Sequence, residues 1–127
     1  MSVLIDTSAW VEALRNDGDP AVQSQVKHLL QTGEAATCSM IMLELWNGAR
    51  GEYERSQLGR FAESLTFLAI DDAAWRESWN LATTARSIGI TIPSTDLLII
   101  AVASYHSAEL IHCDRHFAMY LDSVQDL

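Results

Sequence analysis

The chain is poor in cysteine, the residue that small domains use most often for covalent or metal cross-links. Only two of its 127 residues are cysteines, and neither Cys38 nor Cys113 belongs to a CxxC pattern or a Cys/His cluster, so structural zinc is not expected. The two thiols can in principle pair, but reduced thiols in a cytoplasmic protein are the simpler interpretation. A chain of this length buries a sizeable core without cross-links. We therefore expect a single domain over residues 1–127.

Long apolar runs and positive charge are scarce too. No apolar run reaches the roughly 18 to 20 residues of a membrane span, and the first residues do not show the pattern of a secretory signal, so no membrane partner is expected. Eight lysines and arginines against seventeen aspartates and glutamates give a formal net charge of −9. This charge argues against a nucleic-acid partner, because phosphates attract basic patches. The argument weakens if a bound cation reverses the local field or a partner protein supplies positive charge.

Short apolar runs alternate with longer helical patterns along the chain. We predict strands at 3–5, 35–37, 65–70 and 110–112, and an edge strand at 123–127. Helices are predicted between them, and Ser39, Asp72 and Ser94 are expected to cap the helices that they precede. This alternation predicts an α/β fold in which helices cover both faces of a mainly parallel sheet. Ligands of such sheets bind at the carboxyl ends of the strands.

Four carboxylates fall at informative places in this pattern. Asp6 directly follows the first predicted strand and Asp114 follows the strand near the C-terminus, so both are expected at the carboxyl edge of the sheet. Glu44 is the lone charge within an apolar helical run, and Asp96 lies in the first turn of the most apolar helix. A set of carboxylate oxygens with no histidine or cysteine among them suits a hard cation such as Mg²⁺ or Mn²⁺.

Each of these positions also has an explanation that needs no ligand. Asp6, Asp96 and Asp114 precede or begin helices, where aspartate accepts hydrogen bonds from backbone N–H groups or complements the helix dipole. Glu44 either points to solvent along a narrow stripe of its helix or is buried. If it is buried, the ionised carboxylate needs a charged partner or a metal, because desolvation of an isolated charge is costly.

Several stretches of the sequence carry a family resemblance. They are Leu4-Ile5-Asp6-Thr7-Ser8-Ala9-Trp10, Glu44 in the third helix, Ile92-Pro93-Ser94-Thr95-Asp96-Leu97-Leu98-Ile99-Ile100-Ala101, and Asp114-Arg115-His116-Phe117. In these stretches the chain resembles PIN-domain ribonucleases, and among them the VapC-type toxins of type II toxin–antitoxin pairs. The resemblance implies a three-layer α/β/α sandwich around a mainly parallel sheet, cleavage of RNA, a homodimer, and a cognate antitoxin whose tail blocks the active site.

The resemblance also implies roles for individual residues. Asp6, Glu44, Asp96 and Asp114 match the acidic residues that bind Mg²⁺ or Mn²⁺ in the family, and the hydroxyl of Ser8 matches one that lies beside them. These five residues are therefore the expected catalytic site.

Two histidines depart from the family pattern. His112 stands where threonine is often found, and His116 where another acidic residue is often found. We expect His112 to be a sheet residue with a hydrogen-bonded ring. His116 is either a surface residue or, when protonated, a contact to phosphate, and its presence leaves the number of metal ions open.

The implied reaction is hydrolysis of an RNA phosphodiester bond by a metal-activated water. One or two Mg²⁺ ions would lower the pKa of the water and offset charge on the phosphoryl oxygens, and Glu44 or Asp96 would accept the proton. A phosphatase with an aspartate nucleophile usually needs a second aspartate where this chain has Ser8, so this class is disfavoured. A receiver domain needs a specific lysine, and the only lysine of this chain is Lys27, which is a poor candidate. A non-catalytic PIN-like interaction module with a degenerate metal site is the alternative that stays open.

Three tryptophans complete the set of features to be tested. Trp46, Trp75 and Trp79 are expected in the core, where such residues are usually buried. If they are exposed instead, the patch would suit an antitoxin tail.

Overall fold

The computed structural model describes residues 1–125. It contains four short strands and seven helices, in the order β1 (Val3–Ile5), α1 (Thr7–Leu14), α2 (Pro20–Thr32), β2 (Ala35–Thr37), α3 (Ser39–Gly48), α4 (Glu52–Ser64), β3 (Thr66–Phe67), α5 (Asp72–Ser87), α6 (Ser94–Tyr105), β4 (Glu109–Ile111) and α7 (Arg115–Gln125). The alternation of strands and helices predicted from the sequence is confirmed.

The strands form one parallel sheet with the order β3-β2-β1-β4. All residues of β1 and β2 are buried, as expected of strands that helices cover on both faces. The predicted three-layer fold with a parallel sheet is therefore correct. After β1, the chain adds β2 and β3 on one side before β4 pairs with the other side of β1. This change of direction falls between β1 and β4, and ligands of such sheets bind outside the carboxyl ends of the two strands at such a point; we refer to this place as the crevice between β1 and β4.

Helix α6 is the apolar centre of the molecule. Its seven consecutive residues from Leu97 to Ala103 are all buried, so this helix is covered on all sides rather than on one face. Since α6 begins beside the carboxyl edge of the sheet, its first turn carries Asp96 toward the crevice.

Strand β3 is shorter and more exposed than predicted. Only Thr66 and Phe67 form the strand, and both are exposed, because β3 lies at the edge of the sheet and pairs only with β2. Within residues 65–70, Leu65 and Leu68 are buried in the core. The predicted C-terminal edge strand is also wrong for residues 123–125, which continue α7; residues 126–127 lie outside the described part of the chain.

The predicted helix caps are each displaced by one residue. Ser39 and Ser94 are the first residues of α3 and α6 rather than their caps. In α5 the cap is Asp71, whose side chain accepts a hydrogen bond from the N–H of Ala74 at 3.0 Å, and Asp72 is the first helical residue. A serine or aspartate near a helix start thus locates the start but not the capping residue itself.

The expectation that three tryptophans lie in the core is wrong. Trp46, Trp75 and Trp79 are 47%, 45% and 62% exposed, whereas Trp10 is 1% exposed. Trp75 and Trp79 are four residues apart on α5, so they share one face of that helix. This face of α5 therefore presents a large apolar area to the outside.

The two cysteines are free thiols. Cys38 is buried and Cys113 is exposed. Within residues 1–125, no helix is both long enough and apolar enough to cross a membrane.

Candidate active site

Asp6 is a buried carboxylate at the carboxyl end of β1, with 5% of its surface exposed. Its Oδ2 accepts two hydrogen bonds from Ser8, one from the backbone N–H at 3.1 Å and one from the hydroxyl at 2.6 Å. The hydroxyl of Ser8 in turn accepts a hydrogen bond from the backbone N–H of Cys113 at 2.9 Å. Asp6 therefore does cap α1, and Ser8 also joins the end of β1 to the segment after β4.

Glu44 projects from α3 toward the same edge and is half-buried. Its Oε1 accepts a hydrogen bond from the hydroxyl of Thr7 at 2.9 Å. Thr7 lies between Asp6 and Ser8, but it was not singled out from the sequence. Its only signal is a hydroxyl next to a candidate ligand, because a separation of 37 positions in the sequence conceals the contact.

Asp114 lies between β4 and α7 and caps this helix. Its Oδ1 accepts a hydrogen bond from the backbone N–H of His116 at 2.8 Å, and the ring Nδ1 of His116 lies 3.3 Å from the same oxygen. The ring also stacks against Tyr120, with 6.5 Å between ring centroids. The His116 side chain is 70% exposed, which agrees with its interpretation as a surface residue.

Asp96 is the third residue of α6 and is not the cap of that helix. Among the described residues, we find no hydrogen-bond donor to its carboxylate. Burial, together with repulsion by Asp6, Asp114 and Glu44, raises the pKa of Asp96 to about 6, while His116 acts in the opposite direction. The structure therefore brings all four predicted carboxylates within electrostatic reach of one another.

The chemistry of this donor set fits a hard divalent cation. The four carboxylates supply oxygen ligands only, which Mg²⁺ and Mn²⁺ prefer, and their mutual repulsion would be relieved by positive charge. In residues 1–125, no three His, Cys, Asp or Glu side chains converge closely enough to hold a metal ion as they stand. The assignment of Asp6, Glu44, Asp96 and Asp114 as metal ligands, with rotation of their side chains, therefore stays a prediction.

His112 differs from its predicted role. It lies directly after β4, and its ring stacks on Phe117 with 5.3 Å between centroids. Its Nδ1 is buried and has no hydrogen-bond partner among the described residues, so the predicted hydrogen bond at this nitrogen is absent. The ring instead packs the loop before Asp114 against α7.

Comparison with known proteins identifies the family. The PIN domain family model matches residues 3–120. The chain is 37% identical over 119 residues to VapC ribonuclease Mb1587 of Mycobacterium bovis, an alignment that covers 91% of this chain and 88% of the relative. It is 27% identical to a chain in the structure of VapBC-5, a member of the VapBC family of toxin–antitoxin systems from Mycobacterium tuberculosis, with a TM-score of 0.63 and coverage of 95% and 90%.

The fold is also found in the structure of VapBC2 from Rickettsia felis bound to a DNA fragment from their promoter. That match has a TM-score of 0.78 at 22% identity, and it covers 94% of this chain and 92% of the other. Together with the family model, which spans nearly the whole described chain, these similarities show that the chain belongs to the PIN domain family.

Proposed function

We propose that the chain is a metal-dependent endoribonuclease that acts as the toxin of a VapC-type toxin–antitoxin pair. The observation that carries the proposal is that Asp6 and Asp114 follow β1 and β4 at the carboxyl edge of the sheet, near enough, with Glu44, to raise the pKa of Asp96. An RNA substrate is supported by the 37% identity to a protein named VapC ribonuclease.

In the proposed reaction, Mg²⁺ or Mn²⁺ would lower the pKa of a water molecule and offset charge on the phosphoryl oxygens. Hydroxyl groups of the chain orient two of the proposed metal-binding carboxylates. Ser8 orients Asp6 through two hydrogen bonds, and Thr7 orients Glu44 through one. Asp96 has no such restraint among the described residues and is free to turn toward the crevice. Asp96 or Glu44 would accept the proton of the attacking water.

The proposal includes two protein partners. A cognate antitoxin is supported by the similarity to a chain of the VapBC-5 system, and it would supply the DNA contacts that an acidic toxin lacks. The exposed apolar face of α5 with Trp75 and Trp79 would suit either the antitoxin tail or a second copy of the chain, and we assign it to the second copy of a homodimer. The proposed site of action is the cytoplasm, because the cellular RNA to be cleaved is there.

Induced expression in a bacterial host tests the nuclease. We expect the wild-type chain to arrest growth and to fragment cellular RNA, and Asp96→Asn to do neither, because this change removes one proposed ligand. Asp72→Asn serves as the matched control, since Asp72 is an exposed residue of α5 outside the site. Equal arrest by the wild type and Asp96→Asn would refute the metal mechanism, and arrest with intact RNA would refute the proposed substrate.

A non-catalytic interaction module is the second candidate, and one observation favours it. No three potential ligands within residues 1–125 are close enough to hold an ion without rearrangement. Calorimetric titration of the purified chain with Mn²⁺ separates the candidates. Absence of binding at millimolar Mn²⁺ would support the module over the nuclease.

A further inference from the structure

We propose that the open edge of β4 binds a short extended segment of a basic protein partner, which pairs with Leu110 as an added strand. This inference goes beyond the proposed nuclease. It concerns the outer side of β4, whereas the candidate active site lies at the carboxyl edge of the sheet.

Leu110 presents both of its backbone groups to this open edge. β4 stands at one end of the strand order, next to β1, and Leu110 is level with Leu4. The N–H of Asp6 donates to the C=O of Ile111 at 2.9 Å, so the backbone groups of Ile111 face β1. Because successive residues of a strand direct these groups to opposite sides, the N–H and C=O of Leu110 point away from the sheet. We find no hydrogen-bond partner for either group among the described residues, and unpaired groups of this kind can pair with another chain.

A groove of 420 Å³ lies directly beside these two groups. Its apolar lining includes Ile100 and Ala103 of α6, Leu110 of β4 and Leu121 of α7. Side chains of an extended segment alternate in direction, so every second side chain of an added strand would enter the groove while its backbone pairs with Leu110. Recognition by strand addition combines main-chain hydrogen bonds with side-chain pockets in this way.

The charge beside the groove determines which occupant fits. Glu109 is exposed, and it is the only charged residue among the described residues that line the groove. A lysine or arginine of the added segment is therefore attracted to it. A second copy of the chain would bring its own Glu109 and its own net charge of −9 to the same edge, which opposes pairing between copies. The phosphates of a nucleic acid are repelled by Glu109, and its sugar–phosphate backbone has no N–H to donate to the C=O of Leu110.

Fluorescence anisotropy of labelled peptides tests the inference on the full chain. The probe is the basic peptide Lys-Val-Lys-Val-Lys-Val, which we expect to bind about fivefold more tightly than Glu-Val-Glu-Val-Glu-Val. Glu109→Lys should reverse this preference. Leu110→Pro removes the outward N–H but no hydrogen bond to β1, and proline is tolerated in edge strands. This variant should bind the basic peptide about tenfold more weakly than the wild type, because a main-chain hydrogen bond is lost.

Glu63→Lys is the matched control for charge, because Glu63 is an exposed residue of α4 and the change in net charge is the same. It should keep the preference for the basic peptide. Hydrogen exchange of the Leu110 amide, followed by NMR, is a second measurement that does not require the proline variant to fold, and the basic peptide should slow this exchange about tenfold.

Three results would overturn the inference: equal binding of the two peptides by the wild type, no binding of the basic peptide at millimolar concentration, or unchanged exchange at Leu110 when the peptide is bound. A wild-type dimer that becomes a monomer in Leu110→Pro would also overturn it, because the edge would then be the contact between two copies. None of these results bears on the proposed nuclease, since the tests involve neither the four carboxylates nor a metal ion.

Discussion

The substitution Asp96→Asn should stabilise the metal-free protein at neutral pH, although it should abolish the proposed activity. Burial and the neighbouring carboxylates raise the pKa of Asp96 from 3.8 to about 6. Its ionised form is therefore disfavoured in the folded state compared with the unfolded chain. An asparagine has similar shape but carries no charge, so it removes this penalty.

The size of the effect follows from the shift. One pKa unit corresponds to about 1.36 kcal/mol, so a shift of roughly two units sets an upper limit near 3 kcal/mol. Asp96 is only half-buried, and solvent screening reduces this to about 2 kcal/mol. Loss of a negative charge in the first turn of α6 opposes the gain by roughly 0.5 kcal/mol. We expect a net gain of about 1 to 1.5 kcal/mol, or roughly 4 °C in Tm.

The pH dependence has a definite sign. The folded-state pKa of Asp96 lies above the unfolded value, so the folded state binds the proton more tightly and stability falls as pH rises between these values. The penalty is complete above about pH 6 and vanishes as pH falls toward 4. The gain in stability from Asp96→Asn should therefore decrease as the pH is lowered from 7.5 to 4.5.

Differential scanning calorimetry in EDTA at these two pH values measures the effect, with Asp72→Asn as a control that should change Tm little. Addition of 10 mM Mg²⁺ should then raise the Tm of the wild type more than that of Asp96→Asn, because a ligand stabilises the form that binds it. The reasoning is refuted if the wild type in EDTA at pH 7.5 is as stable as Asp96→Asn, or if the difference between them does not depend on pH.

Three further predictions concern the fold and its surfaces. Gly59→Ala in α4 should raise the free energy of unfolding by about 1 kcal/mol, since the added Cβ meets no atom within 4 Å. Gly33→Ala should lower the free energy of unfolding by about 1 kcal/mol, because φ is +77° there. Urea unfolding measures both changes, and changes of the same sign would contradict the prediction. Asp71→Ala should lower stability by about 1 kcal/mol in the same assay, since it removes the cap of α5 and the acceptor of the Tyr105 hydroxyl, and an unchanged midpoint would contradict this. Trp79→Ser should reduce the mass measured by light scattering from dimer to monomer, and a dimer that persists would show that the exposed face of α5 is not the interface.

The sequence was sufficient to place the end of β1, and the end of β4 to within one residue, and hence two of the four carboxylates. Asp6 and Asp114 follow short, mainly apolar runs, and such runs form parallel strands whose carboxyl ends share one edge, although β4 is only partly buried. This inference depends only on residues that are close in the sequence.

The failures concern contacts between distant residues. The exposure of Trp75 and Trp79 depends on which helix face lies against α6, and two tryptophans spaced by four residues are equally compatible with a buried or an exposed face. Thr7 and Glu44 are 37 residues apart, so their hydrogen bond could not be read from spacing. The ring of His112 was expected to form a hydrogen bond because buried polar groups usually do, yet it stacks on Phe117.

The groups that orient the four carboxylates bear on how so acidic a chain would act on RNA, as its proposed function requires. Asp6, Glu44 and Asp114 are bonded to hydroxyl and backbone N–H groups, and within residues 1–125 none of the four carboxylates forms an ion pair with lysine or arginine. An arginine would orient a carboxylate equally well but would also neutralise it. Uncharged donors orient the oxygens and leave their negative charge in place, which would favour binding of the proposed divalent cation. That cation would present positive charge to a phosphate, so the net charge of −9 would attract the cation instead of excluding the nucleic acid.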